Sequence, residues 1–233
     1  MSQETIVCKQ VKKIYKSPGV TFEALKEVNV SVQENELLML VGPSGAGKTT
    51  LLSIMAGILS QTEGECLVLG NPVHAMSQEE KTVFRGKNIG FVFQSFNLIP
   101  SLTAWENVSI PLLIHGASKQ EAKSRSIEML QSLGLGDRAE EYPTRFSGGQ
   151  MQRVSIARGC VHRPKIILCD EPTSFLDHEN GENVMQLLKK IQEKDRCTQV
   201  IVTHDPRIFD FADRIIEIND GVVKNEKRNQ QQT

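Results

Sequence analysis

Three glycines, a lysine and two hydroxyls fall within eight residues at Gly42, Pro43, Ser44, Gly45, Ala46, Gly47, Lys48 and Thr49. The spacing is G-x-x-x-x-G-K-[ST], directly after an apolar run and before a helical pattern. Such glycines let the backbone curl so that its N–H groups, and the N-terminus of the next helix, converge on phosphate oxygens. Lys48 would meet the β- and γ-phosphates as a point charge, and Thr49 would offer its hydroxyl to Mg2+. Thr50, next in the helix, joins the phosphate-binding set. A loop of this kind fixes nucleotide binding but not its use.

Two carboxylates, Asp170 and Glu171, follow the apolar run Ile166-Ile-Leu-Cys169. Asp170 is read as a Mg2+ ligand acting through water. Glu171, expected to point the other way along the strand, is placed to polarise an attacking water. His204 ends another apolar run. A further turn, Phe146-Ser147-Gly148-Gly149-Gln150-Met151-Gln152-Arg153, lies about a hundred residues after the first loop and again leads into a predicted helix.

The elements that must position these groups alternate between strand and helix. Strands are predicted over 5–14 and 22–32, around a turn at Ser17-Pro18-Gly19, and over the buried run Leu37–Val41. A helix is predicted over 49–59 and a strand over 65–69. Ser77–Glu80 and Ser118–Glu121 read as capping boxes. Further strands are expected over 89–93, 166–169 and 199–203, and a hairpin over 215–223 with its turn at Asn219-Asp220-Gly221. Residues 95–160 read as mostly helical, with Ile127, Leu130 and Leu133 on one face. Val184, Leu187, Leu188 and Ile191 form a later helical stripe. The polar tail after Lys224 is expected to fray. The pattern is α/β with a helical insertion, and the sites at Gly42, Asp170 and His204 each follow a strand, where open parallel sheets bind ligands.

The 233 residues, 39% of them hydrophobic, suit one large domain or two lobes sharing a core. Lys and Arg number 27 against 28 Asp and Glu, and a net charge of −1 gives no support for nucleic acid as a partner. Five scattered cysteines without a C-x-x-C pair argue against a disulfide framework or zinc site. No signal peptide and no membrane-length apolar segment is visible.

The ordered set GPSGAGKT, Gln94, FSGGQ, ILCDEP, Ser174–Asp177 and His204 resembles the nucleotide-binding subunit of an ABC transporter, over residues 5–223. The resemblance implies a P-loop NTPase fold, with a RecA-like core, an N-terminal antiparallel β subdomain and a helical subdomain. As one domain over 1–233, this gives about 1–94 and 161–223 to the β subdomain and core, about 95–160 to the helical subdomain, and 224–233 to the tail. It also implies ATP and Mg2+ as ligands and a head-to-tail dimer. Ser147, Gly148, Gly149 and Gln150 of one copy would then close on ATP held by the other. By the same resemblance Tyr15 stacks on adenine, Gln94 contacts Mg2+ or the water, Asp177 communicates across the dimer and His204 bonds the γ-phosphate. Glu171, His204, Lys48 and Gln94 form the catalytic set; Thr49, Gln94 and Asp170 form the metal set.

This chain departs from the family in places. Phe146 replaces leucine and Phe175 replaces alanine, while Gly159-Cys160 replaces Ala-Leu and is expected to loosen that helix end. The segments Phe84–Gln94, Phe96–Pro100 and Leu102–Val108 are similar to the bacterial lipoprotein-release and macrolide-efflux branch. That implies an integral membrane permease with an extracytoplasmic domain, and a peripheral place on the cytoplasmic face of the inner membrane. Phe96, Leu98, Ile99 and Trp105 are candidates to receive the permease. The leading expectation is an ATPase that drives export. The rivals are a non-transporting ATPase that signals or transmits force through a membrane partner, and a soluble ATPase acting on DNA or ribosomes.

Overall fold

The computed structural model describes residues 3–229. In chain order the elements are β1 (Glu4–Ser17), β2 (Val20–Gln33), β3 (Leu37–Val41), α1 (Lys48–Met55), β4 (Glu63–Val68), β5 (Asn71–Pro72), α2 (Gln78–Asn88) and β6 (Ile89–Val92). They continue with α3 (Ala104–Ile114), α4 (Lys119–Ser132), α5 (Gly148–Cys160), β7 (Ile166–Asp170), α6 (His178–Asp195), β8 (Thr198–Val202), β9 (Arg214–Asn219) and β10 (Val222–Arg228).

Two sheets result. One is antiparallel, in the order β2-β1-β4-β5; the other runs β10-β9-β3-β8-β7-β6. In the second, β6, β7, β8, β3 and β9 pair in parallel and β10 joins β9 antiparallel. Side-chain alternation splits the core. Leu37, Met39, Ile167, Cys169 and Ile201 face the cluster shared with the helices, and Leu38, Leu40, Ile166, Leu168, Val200 and Val202 face the antiparallel sheet and α1. A strand buried on both faces reads as a continuous apolar run, so Leu37–Val41 and Ile166–Cys169 are recognisable before folding. The ends of β3, β7 and β8 lie side by side, and Gly42, Glu171 and Thr203 leave the sheet there.

Several boundaries differ from the expected ones. Helix α1 stops at Met55 rather than at 59, because Gly57 turns left-handed (φ 65°) and a Cβ there would come 2.5 Å from Val73 Cγ1. The Ser77–Glu80 capping box is complete, but Ser118–Glu121 forms only the serine half: the Glu121 carboxylate turns to Arg125 instead. Complete boxes form at Thr103–Glu106 and Ser147–Gln150, neither of which was expected. The end of α5 is not loosened at Gly159. It runs to Cys160, with Gly90 and Gly159 making a close approach of β6 to α5; a Cβ on Gly90 would sit 2.1 Å from Gly159 O.

The tail after Lys224 does not fray up to Arg228. It pairs in register with β9, and Glu226 accepts a 3.0 Å bond from Arg214, whose guanidinium is buried against Glu36. Residues 230–233 of the expected tail lie outside the described residues.

Candidate nucleotide-binding site

The loop between β3 and α1 is shaped by backbone that side chains would block. Gly42 has φ 141°, and a Cβ on it would stand 2.0 Å from Ile218 O. Gly47 has φ 98°, and its Cβ would meet Ala24 O at 2.5 Å. At Gly45 (φ 79°) nothing lies within 4 Å, so this glycine serves the left-handed turn and leaves open space beside it. The buried Lys48 Nζ donates to Gly42 O and Pro43 O, both at 2.8 Å, and so ties the loop back on itself. Burial lowers the Lys48 pKa, and the negative charges of Glu171 and Asp170 oppose that shift.

Thr49, in the first turn of α1, donates its hydroxyl to Asp170 Oδ1 at 2.9 Å. Burial raises the Asp170 pKa, the Thr49 bond lowers it, and the neighbouring Glu171 raises it further. Strand alternation does not set the direction of Glu171. The strand ends at Asp170, and Glu171 turns left-handed (φ 50°), held by its N–H donating to Val202 O at 2.9 Å. A non-glycine residue in this region of backbone space is uncommon and marks a constrained position. Ser174 supports it from the next turn, with its hydroxyl donating to Glu171 O at 3.0 Å. His204 Nδ1 lies 2.8 Å from both Glu171 Oε1 and Oε2, a distance at which the Nδ1–H tautomer donates to the carboxylate.

Ser44, Gly45, Ala46, Gly47, Lys48, Thr49, Thr50, Gln94, Glu171 and His204 line one pocket of about 350 Å³. Asp170 is tied to it through Thr49. Gly42 and Pro43 anchor Lys48 from the loop base. Two lining residues, Phe22 and Ala24, were missed. Tyr15 is not among the lining residues, but the hairpin register sets it directly opposite Phe22. Exposed hydrophobic character in a strand, repeated across the turn, was the available signal.

Ser147, Gly148, Gly149, Gln150 and Asp177 do not line this pocket. Ser147 caps α5 by accepting from Gln150 N–H at 3.4 Å, and Gln150 Oε1 accepts from Ser147 N–H at 3.0 Å and from Arg138 at 2.7 Å. Asp177 caps α6, accepting from Asn180 N–H at 2.9 Å. One chain therefore carries a phosphate-type pocket and, apart from it, a capped helix N-terminus beginning with two glycines.

A separate groove of about 330 Å³ runs between the core and the helical segment. Its floor is Ile89, Phe91 and Phe93, and its walls include Ile58, Ile114 and His115. None of the expected docking residues Phe96, Leu98, Ile99 and Trp105 lines it. Ile99 is exposed, but Trp105 is buried in the core with its indole N–H on Glu140, so it cannot receive a partner.

Residues 25–174 match the ABC transporter family. MJ0796 of Methanocaldococcus jannaschii, an ABC transporter ATP-binding protein, has been solved as a dimer in a post-hydrolysis state bound to ADP and Pi. It is 44% identical, covers 96% of this chain and 98% of its own, and superposes with a TM-score of 0.89. The lipoprotein-releasing system ATP-binding protein LolD of Bacteroides thetaiotaomicron is 43% identical over 91% of this chain and 97% of its own length. The macrolide export ATP-binding/permease protein MacB of Wolinella succinogenes is 38% identical over 96% of this chain and 34% of its own length. The phosphate pocket, the separate Ser147–Gln150 turn (the signature turn) and these likenesses agree: the chain belongs to the ABC transporter family, as an ATP-binding subunit of the LolD/MacB branch.

Proposed function

We propose that this subunit hydrolyses ATP to power export of a lipoprotein, a lipid-linked molecule or another periplasmic substrate through a separate membrane permease. One observation carries the catalytic part: Lys48, Thr49, Gln94, Glu171 and His204 line a single pocket, with Asp170 bonded into it.

In the proposed reaction the loop 42–50 and Lys48 hold the β- and γ-phosphates. Glu171 takes a proton from water as its oxygen attacks the γ-phosphorus. The bond to the bridging oxygen breaks, leaving ADP and phosphate. His204 meets both Glu171 oxygens through Nδ1 and so orients the carboxylate as a whole. The Thr49 hydroxyl, the Asp170 carboxylate and the Gln94 amide are hard oxygen donors of the kind Mg2+ takes, and few enough to leave room for phosphate oxygens. Mg2+ bound there would neutralise phosphate charge.

The signature turn fits the same scheme if a second copy faces the first head to tail. Ser147 to Gln150 at the N-terminus of α5 then close on the partner's ATP, and Asp177 lies near that contact. The dimeric state in which MJ0796 has been solved supports the pairing of two copies. No described helix is long and apolar enough to cross a membrane. The reading therefore needs a permease, docked in the groove of Phe91, Phe93 and Ile114, and a peripheral position on the cytoplasmic face of the inner membrane. The names of LolD and MacB, a lipoprotein-releasing system and a macrolide export ATP-binding/permease protein, support export through a permease, to which the proposal gives an extracytoplasmic domain.

The test uses Glu171→Gln, ATP and Mg2+ to capture partners from detergent-solubilised membranes, followed by reconstitution of the wild-type complex in vesicles. Capture of a permease that stimulates ATP turnover and releases lipoprotein or moves a periplasmic substrate supports the proposal. Stimulated turnover with nothing moved favours force transmission, and only soluble partners in several detergents overturns the membrane reading.

A further inference from the structure

Three segments of the proposed machinery meet at a side chain outside the pocket, Phe96. Its ring stands edge to face with Phe175, with centroids 6.1 Å apart. Its Cζ is 4.0 Å from the point where a Cβ on Gly148 would stand, and Phe175 O is 3.6 Å from the same point. Phe96 follows Gln94 by two residues, Gly148 belongs to the signature turn, and Phe175 lies between Glu171 and Asp177. The family resemblance gives alanine at position 175, so this ring pair is a property of this chain.

The backbone under Phe96 is unusual. Phe96 and Asn97 are both left-handed, with φ of 53° and 49°, a conformation that bulky L-residues rarely adopt. Arg158 of α5 holds both: Nη2 donates to Phe96 O at 2.7 Å and Nη1 to Asn97 O at 2.5 Å. A planar guanidinium presents its donors in a fixed fork, so it sets two consecutive carbonyls at once. Arg158 also lines the groove between the core and the helical segment. One residue thus touches the groove and fixes the loop whose ring reaches the signature turn.

We propose that Phe96, clamped by Arg158, is a positioning residue: its ring sets Phe175 and the signature turn relative to the Gln94 loop, so that the three segments move as one body. The inference rests on the ATPase reading above. It differs from that reading in making the turnover rate depend on a side chain that does not line the nucleotide pocket.

The experiment is steady-state ATP turnover and ATP affinity for wild type, Phe96→Ala, Phe96→Tyr, Phe175→Ala and the double alanine variant. Because contacting residues couple, each single alanine variant should lose about tenfold in kcat, and the double variant should lose no more than Phe96→Ala alone. ATP Kd should stay within about twofold, since neither ring lines the pocket, and Phe96→Tyr should restore turnover because the edge-to-face contact survives. If Phe96→Ala melts early, Phe175→Ala serves in its place, since its ring is 59% exposed and its truncation opens no core cavity. Multiplying losses in the double variant, unchanged kcat in the singles, or a rise in Kd that matches the fall in kcat would each overturn the proposal alone. A wild-type chain without ATP turnover would overturn the ATPase reading and this inference with it.

Discussion

His204 Nδ1 and Glu171 Oε1 are 2.8 Å apart, which joins the residues that follow β8 and β7 at the edge of the pocket. The Glu171 side chain is 13% exposed and that of His204 60%, so the carboxylate is shielded while the ring faces solvent. Both carboxylate oxygens lie 2.8 Å from Nδ1, so the ring fixes the plane of the carboxylate that is proposed to take the proton. Glu171→Gln keeps the shape and removes the basicity. Turnover should fall by roughly 10²–10⁴, the usual worth of a general base, while ATP binding persists and the variant accumulates as an ATP-dependent dimer on gel filtration. His204→Ala should lower kcat by a smaller factor with little change in ATP affinity. Wild-type turnover in Glu171→Gln would remove Glu171 from the role of base.

Lys48 and Thr49 separate charge from metal binding. Lys48→Ala removes the cation expected at the phosphates and also the two bonds that tie the loop to Gly42 and Pro43. It should abolish hydrolysis. Thr49→Ala leaves the cation and the loop ties in place but removes the hydroxyl bonded to Asp170. It should raise the Mg2+ concentration needed for half-maximal turnover, with nucleotide binding in EDTA unchanged. Equal Mg2+ dependence in both proteins would take Thr49 out of the metal set.

Phe22 lines the pocket and Tyr15 faces it across the hairpin. Lys13 Nζ sits 5.2 Å from the Tyr15 ring centroid, which occupies part of that ring. A base held at this end of the pocket would therefore meet Phe22, with Tyr15 opposite it across the hairpin. Phe22→Ala should weaken ATP binding by about 1–3 kcal/mol, the worth of one aromatic–base stack, and leave inorganic tripolyphosphate binding as it is. Isothermal titration with both ligands checks this. A parallel loss for tripolyphosphate would mean that the substitution damaged the loop.

The parts of the site that follow buried strands were legible because each motif there is local. Gly42–Thr49 and Ile166–Glu171 announce strand, turn and ligand in a dozen residues or fewer, and the fold brings them together through the parallel pairing of β3, β8 and β7. What was not legible depends on register or on tertiary approach. Phe22 joins the pocket only because the hairpin pairs it with Tyr15. Trp105 reads as a surface aromatic until α3 packs and Glu140 takes its N–H. The closing strand β10 is polar, so periodicity could not extend it past Lys224; its cross-strand partners do.

His162 gives a pH dependence separate from catalysis. It sits in the groove with Nε2 3.2 Å from Ile89 O, while Nδ1 is buried without a partner among the described residues. Burial pulls its pKa from 6.5 down to about 4, with smaller opposing help from the Ile89 carbonyl. The native state therefore stays neutral where the unfolded chain takes up a proton. Between pH 6.5 and 4 the unfolded state binds more protons, so stability is full above 6.5 and is lost as pH falls towards 4. The loss attributable to this ring is about 2–3 kcal/mol. His162→Gln cannot titrate, so its urea midpoint should fall less than that of wild type between pH 7 and 4.5, with the gap opening below 6.5. The other acids titrate in both proteins and cancel in the difference. Parallel curves across this window would show that the His162 ring is protonated as easily in the fold as outside it.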